Sequence, residues 1–475
     1  MDFYSDYKCL IDGRLVQSAS TFEVVNPATE EVLATAPDAS GEQLEEAVDA
    51  AGRAFKAWSE TPIDERRRMM EQLGAAIDGN KEDLMRLLTL EQGKARGGAE
   101  WEIGGSAYWC SEIAKQELPV EIIEDTAEHY VERRHTPLGV VGGIVPWNFP
   151  ILLAVWKIAP ALMAGNTMVL KPSPFTPLGT LKLGELAQEI FPAGVLNILS
   201  GGDDLGRRMT AHPAIAKISF TGSTETGRKI MESAAGNLKR LTLELGGNDA
   251  AIVLPDVDPK SVAEQLFWTA FQNSAQFCVA CKRLYVHESI YDDVLREMVD
   301  FAKTVTVGDG LQQGVDLGPI QNRPQYDKVC QLIEDAKESG LSFALGGAVP
   351  EGRGYFVPVT IIDNPPEDSR VVTEEAFGPV LPILKYSELT DVIARANNTP
   401  YGLAGSVWSK DTAKAHEVAK SLETGTVWIN EAHVFAPHIP FGGHKQSGVG
   451  LENSLDGLAE YANSQTITVN KAAVL

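Results

Sequence analysis

From Gly139 onward the chain alternates short apolar runs with longer amphipathic ones, and no other feature limits its fold so strongly. Val140 to Val145, Thr167 to Leu170, Val195 to Leu199, Ile215 to Phe220 and Leu241 to Leu245 are strand-length and apolar, with helical patterns between them. Apolar strands separated by helices predict a parallel, doubly wound sheet covered on both faces. Such sheets bind ligands in the crevice beyond the carboxyl ends of their strands, where Lys171, Thr221-Gly222-Ser223 and Glu244 fall. A second series, Ala250 to Leu254, Leu284 to His287 and Thr426 to Asn430, predicts another α/β domain. At 475 residues the chain is too long for one small core, so two or three domains are expected.

The balance of 41 Lys plus Arg against 65 Asp plus Glu, a net charge of -24, argues against a general phosphate-attracting surface for nucleic acid. The phosphates of a dinucleotide then have to be met by backbone amides and a few placed cations. The five cysteines, Cys9, Cys110, Cys278, Cys281 and Cys330, are scattered and odd in number, which points to a reducing compartment, the cytoplasm, rather than a disulfide framework. Met1-Asp2-Phe3-Tyr4-Ser5-Asp6 has neither the basic nor the apolar part of a secretory signal. Thr136 through Trp156 lacks charge and is long enough for a bilayer span, but Pro137, Pro146, Pro150 and Gly142-Gly143 interrupt it. It reads as a buried strand, a loop and a helix start, with no membrane partner.

Toward the N-terminus Ser40-Gly41-Glu42-Gln43 forms a capping box for a helix burying Leu44, Ala47, Val48, Ala51, Ala54, Phe55 and Trp58. Pro62 opens the next helix, Ile63 to Ile77, whose Arg66-Arg67-Arg68 run reads as a solvated face. Pro119 to Ile123 and His129 to Arg134 predict a polar hairpin, and Gln465 to Asn470 a further β-branched strand.

The stretch from Phe271 to Arg283 leaves a helical pattern and runs into the strand beginning at Leu284. A cysteine at such a break, with flanking amides and the cations Lys282 and Arg283 behind it, has surroundings expected to favour a thiolate, so Cys278 reads as a nucleophile. Glu244, ending an apolar strand at Gly246-Gly247, reads as the separate base, the two glycines allowing another group to approach closely. Cys278-Val279-Ala280-Cys281 is also a C-x-x-C, but a zinc site lacks its further ligands nearby and a thioredoxin-like motif its small-domain context; no metal is expected. The spacing leaves a reversible Cys278–Cys281 disulfide open. Gly448-Val449-Gly450 fails as a dinucleotide loop because Asn453 replaces the third glycine, whereas Phe220 to Gly227 follows a strand and opens a helix that can face a pyrophosphate.

These thiol and glutamate segments resemble the paired signatures of the aldehyde dehydrogenase superfamily. Pro146-Trp147-Asn148-Phe149-Pro150, Lys171-Pro172-Ser173, Phe220-Thr221-Gly222-Ser223-Thr224, Glu374-Glu375-Ala376-Phe377-Gly378-Pro379 and Pro440-Phe441-Gly442-Gly443 extend the resemblance, in family order, over nearly the whole chain. One residue departs: Ala275 stands where the family usually has glycine, and its methyl is expected to tighten the turn and narrow the pocket. The resemblance implies a dinucleotide-binding domain over 1–118 and 137–248 with part of 436–460, a catalytic thiol domain over 249–435, and bridging segments 119–136 and 461–475 that join subunits into a homodimer or homotetramer.

The resemblance further implies roles. Cys278 and Glu244 are joined by Asn148, holding the oxyanion with the Cys278 backbone N–H, and by Lys157 in a proton network. Ile144, Pro146, Trp147, Lys171, Ser173, Gly206, Gly222, Ser223, Glu375 and Phe377 hold the dinucleotide. Pro174 replaces a glutamate that repels a 2′-phosphate in many relatives, so NADP stays open beside NAD, the first choice. Phe149, Leu153, Trp156, Gln272, Phe277, Phe435 and Phe441 wall the substrate tunnel, with His433 at its mouth; its apolar character implies an uncharged aliphatic or aromatic aldehyde. Transfer of the thioester to coenzyme A is the alternative chemistry, disfavoured by the presence of Glu244. A catalytically silent structural or binding protein is the alternative class, disfavoured by intact Cys278, Glu244 and Asn148.

Overall fold

The computed structural model describes residues 2–472; residue 1 and residues 473–475, the end of the expected bridging segment, lie outside the described residues. Its largest sheet has the spatial strand order Gly448–Val449, Arg240–Glu244, Ile215–Thr221, Val140–Ile144, Thr167–Lys171, Leu196–Ile198, Cys9–Ile11, Arg14–Val16. From Arg240–Glu244 to Leu196–Ile198 all neighbours are parallel. Starting at Val140–Ile144, the chain steps outward through Thr167–Lys171 and Leu196–Ile198, then returns to lay Ile215–Thr221 on the other side. The order reverses between those two central strands, and a crevice opens there at the carboxyl ends. Register brings the rim level: Ile144 lies opposite both Lys171 and Phe220, and Thr221 opposite Glu244.

A second sheet runs Ser342–Leu345, Thr360–Asp363, Val380–Tyr386, Cys281–His287, Asp249–Val253, Ala404–Trp408, Thr426–Ile429, parallel except for its first strand. The parallel sheet expected from the first apolar cadence and the second α/β unit expected from the later series are therefore both present. The third sheet is antiparallel: His129–Pro137 pairs with Glu121–Asp125 on one side and with Ala462–Asn470 on the other. The expected hairpin thus begins slightly later than Pro119, and the C-terminal strand lengthens it into a sheet. Ser20–Asn26 and Glu31–Asp38 form a two-stranded ribbon that local patterning did not announce.

Local chemistry explains the helices. Ser40 accepts from the Gln43 N–H while the Gln43 side chain accepts from the Ser40 N–H, closing the expected capping box on helix Gly41–Glu60. Leu44, Ala47, Val48, Ala51 and Trp58 are buried along that helix, and the Trp58 indole donates to the Leu162 carbonyl at 3.2 Å. Pro62 precedes helix Ile63–Gly79. Its arginines correct the expected solvated face. Arg68 is exposed, but Arg66 is half-buried against Gly165, and Arg67 donates to Asp64, Glu117 and the Ala114 carbonyl, because this helix packs against Arg96–Ile113 and the arginine stems fill the seam. The uncharged stretch after Thr136 becomes the strand Val140–Ile144, a loop and helix Pro150–Met163. Among the described residues no helix is long and apolar enough to cross a membrane.

One apolar cluster joins the N-terminal helices, the largest sheet and Phe277, Val279, Ala280, Trp428 and Phe441. The thiol-bearing loop is consequently packed into the core of the first unit although it precedes a strand of the second.

Candidate active site

Helix Pro259–Phe271 stops in three consecutive left-handed residues, Asn273, Ser274 and Ala275, with φ of 53°, 55° and 58°. Tertiary bonds enforce that turn. Ser274 Oγ donates to the Gly318 carbonyl at 2.7 Å, and the Gln276 amide donates to the Pro319 carbonyl at 3.1 Å while accepting from the Gln321 N–H at 2.8 Å. Ala275 therefore holds a conformation that costs an L-residue about 1 kcal/mol and glycine little. Its methyl is buried and borders neither cavity of the site, so it strains the turn without narrowing the pocket as expected.

The cations after Cys278 also act otherwise than expected. Lys282 Nζ donates to the carbonyls of Phe277, Cys278 and Ala280, and Arg283 to those of Asn248, Arg395 and Ala396. Both are committed to backbone oxygens. Burial and the neighbouring Glu244 carboxyl push the Cys278 thiol well above its ordinary range, and Lys282 only partly opposes them. The resting sulfur is a thiol, not the thiolate expected from the two flanking charges.

Glu244 ends its strand 4% exposed, and its Oε1 has no hydrogen-bond partner among the described residues. Burial raises its pKa to about 8, opposed by a hydrogen bond with Cys278 and the charge of Lys157. The glycines after it admit close neighbours as expected: a Cβ on Gly247 would meet the Cys278 carbonyl oxygen at 3.0 Å, and one on Gly246 would overlap the Glu375 carboxylate. Asn148 is buried; its Nδ2 donates to the Gln276 carbonyl at 3.2 Å, leaving its second amide hydrogen without a protein acceptor. Among the described residues the Cys278 backbone N–H also makes no hydrogen bond.

Two cavities meet at these groups. The first, about 170 Å³, is lined by Pro146, Trp147, Asn148, Thr221, Gly222, Ser223, Glu244, Leu245, Gly246, Cys278, Gln325, Lys328, Glu375 and Phe377. It gathers six of the residues expected to bind the dinucleotide. Ser223 caps helix Thr224–Ala234, whose N-terminus is thereby set at the cavity's edge. Glu375 accepts from the Gly247 N–H at 3.1 Å and lies 3.5 Å from Lys282. Phe377, at φ 48°, sets its ring edge-on to Trp147. Ile144, Lys171 and Gly206 border another part of the rim: Lys171 pairs in register with Ile144, and a Cβ on Gly206 would come within 3.9 Å of the lysine stem. Burial lowers the Lys171 pKa to about 8, while Asp203 and Asp38 act against that shift. Ser173 is instead buried, accepting from the Phe175 N–H. A helix N-terminus, a lysine beyond it and aromatic rings over a thiol fit a dinucleotide.

The second cavity, about 30 Å³, is lined by Trp101, Phe149, Leu152, Leu153, Trp156, Phe277, Phe435 and Phe441 above Glu244 and Cys278. Gln272 and His433 do not reach it, which corrects their expected places. His433 lies behind Phe277, ring centroids 4.7 Å apart, with Nδ1 3.0 Å from the Gln272 amide and Nε2 3.1 Å from the Val279 carbonyl. Burial pulls its pKa down to about 4, so the ring is neutral.

Lys157 Nζ donates to Thr221 Oγ1 and Glu452 Oε1, both at 2.9 Å, a buried network behind Glu244. Cys281 faces elsewhere. It packs with Ala251, Phe267 and Leu284, whereas Cys278 borders the cluster containing Phe149 and Phe277, and both are free thiols. Opposed packing of the two sulfurs speaks against the disulfide left open by their spacing. Gln325 and Lys328 on the cofactor side and Trp101 and Leu152 on the other were not anticipated: each belongs to a helix whose own pattern explains it, and only the tertiary fold brings it to Cys278.

The aldehyde dehydrogenase family model matches residues 15–467. The chain is 39% identical over 481 residues to the phenylacetaldehyde dehydrogenase of Pseudomonas fluorescens, covering 98% of this chain and 96% of that protein. It is 40% identical over 466 residues to human aldehyde dehydrogenase 1A1, covering 95% and 92%. Among solved structures, the NAD+ complex of an aldehyde dehydrogenase from Bacillus cereus superposes with a TM-score of 0.96 at 37% identity, covering 98% of this chain and 97% of that one. The betaine aldehyde dehydrogenase of Staphylococcus aureus, also with NAD+, gives 0.95 at 35% identity, covering 99% and 95%. The chain belongs to the aldehyde dehydrogenase family.

Proposed function

We propose that the protein oxidises uncharged aliphatic or aromatic aldehydes to carboxylic acids, with NAD ahead of NADP, through a thioester on Cys278. One observation carries the reading above the rest: Cys278 and Glu244 are the two residues that border both cavities, so a carbonyl at the sulfur has the carboxyl group beside it. The Cys278 proton passes to the carboxylate form of Glu244 as the sulfur attacks the carbonyl carbon. Charge developing on oxygen is met by the spare Asn148 amide hydrogen and the Cys278 N–H, donors worth a few kcal/mol in such sites. Pro146, Trp147, Gly222, Ser223, Glu375 and Phe377 would hold the dinucleotide, which when bound supplies the hydride acceptor. Glu244, its proton released by way of Lys157, Thr221 and Glu452, then takes one from water; the water oxygen bonds to the acyl carbon and the C–S bond breaks.

The substrate class is supported by the second cavity, where no lysine or arginine waits for a second carboxylate. The phenylacetaldehyde dehydrogenase relative fits that wall. For NAD ahead of NADP, the support is the negative charge of Asp203 and Asp38 near Lys171, which disfavours a further phosphate at this lysine despite Pro174. We further infer a cytoplasmic homodimer or homotetramer, with residues 119–136 and 461–472 bridging subunits, 1–118 and 137–248 binding the dinucleotide and 249–435 carrying the thiol. Rapid mixing tests the chemistry. Glu244→Gln, which removes the acceptor of both the thiol proton and the water proton, slows the first appearance of reduced nicotinamide and the steady-state turnover by about 100-fold or more, while Cys278→Ser gives no burst. Full-rate oxidation by Cys278→Ser overturns the reading.

A further inference from the structure

Lys94 and Glu102 form an ion pair at 2.5 Å with side chains 1% and 0% exposed. Such a pair is a weak source of stability, because desolvating two ions offsets their attraction. Its remaining contacts converge on the segment that carries Asn148. Lys94 Nζ donates to the Asn148 carbonyl at 2.8 Å and stands 3.9 Å from the centre of the Phe149 ring. Glu102 gives Oε2 to the lysine, while its Oε1 accepts from the N–H groups of Ile151 at 2.9 Å and Leu152 at 3.3 Å. Those are first-turn amides of helix Pro150–Met163, which has Phe149 at its N-cap position and no side-chain cap of its own. Glu102 therefore serves as a cap from another helix.

The pair is built on a turn and a helix. Gly93, at φ 93°, ends helix Lys81–Gln92; Lys94 follows it, its N–H held by the Gln92 side chain, and Glu102 sits within helix Arg96–Ile113. Neither residue borders either cavity, so neither touches aldehyde or dinucleotide there. We propose that Lys94 and Glu102 are positioning residues for Asn148, the cation fixing its peptide carbonyl and the carboxylate anchoring the helix that starts two residues later. The proposal rests on the reading of Asn148 as the oxyanion donor. Its physical basis is that such a donor acts through placement, and a displacement near 1 Å forfeits much of the effect.

Lys94→Met/Glu102→Gln removes both charges together and strands neither ion. The expected result is a kcat lower by about 10- to 100-fold. Aldehyde KM and the dissociation constant for NAD stay within about twofold, and the alkylation rate of Cys278 by iodoacetamide, which needs no oxyanion donor, holds likewise. In an Asn148→Ala background the same pair of changes lowers kcat little further, because the donor they position is already gone. Equal fold-losses in both backgrounds, or a raised KM at unchanged kcat, overturn the proposal. Wild-type kcat in Asn148→Ala alone refutes the donor reading, a result separable from anything seen at Lys94. If the double variant does not fold, Glu102→Asp, which keeps both charges and withdraws the carboxylate by one methylene, is judged by the same outcomes.

Discussion

At the scale of single residues, burial governs the protonation of both groups proposed to react, Cys278 and Glu244. Glu244 is neutral below its pKa of about 8 and a carboxylate above it, because burial outweighs the pull of Lys157. Only the carboxylate can take a proton from water, so hydrolysis accelerates as pH rises through about 8. Steady-state rates limited by hydrolysis will show that ascending limb, and Glu244→Gln will lack it; a pH-independent wild-type rate from 6 to 9 contradicts it. Ala275→Gly, by releasing the strained φ of 58°, is expected to stabilise the fold by about 1 kcal/mol, read from the denaturant midpoint. The identity of Cys278 and Glu244 was legible because each ends a locally patterned element. Their protonation was not, since it depends on where the Lys282 ammonium is drawn, and carbonyls of its own turn hold it.

Elements fared differently according to whether their reasons are local. The capping box at Ser40, the strand ends at Lys171 and Glu244 and the helix after Ser223 are written in adjacent residues and stand where expected. Helix Arg323–Glu338 shows the limit. Its Gln325 amide donates to the carbonyls of Ala376 at 2.9 Å and Phe377 at 3.1 Å, holding a left-handed phenylalanine over the first cavity. No local pattern pairs residues so far apart. Gln325→Ala is expected to free that loop and weaken dinucleotide binding by about 10-fold. Fluorescence titration measures it, and an unchanged dissociation constant argues that the loop holds itself. His433 failed for the same reason, its place behind Phe277 being set by contacts with Gln272 and Val279.

For the whole molecule, the three-stranded sheet leaves Ile122, Ile123 and Val469 exposed, with exposed Val120 just before its first strand. Apolar side chains grouped on one small sheet suit a subunit contact, so Ile122→Glu/Ile123→Glu is expected to lower the mass seen by light scattering while each chain stays folded. An unaltered mass places the contact elsewhere. The two large sheets were readable from the strand cadence, whereas the joining of the thiol loop to the first unit's core was not, because it arises only when Phe277 and Val279 meet side chains from distant helices. The aromatic wall also has a kinetic meaning. Its lining above Glu244 and Cys278 is aromatic and aliphatic, and apolar cavities hold water poorly. In the proposed cycle an acyl chain between those rings leaves no reservoir of solvent on that side, so the lifetime of the acylated enzyme would be set by water arriving through the opposite opening.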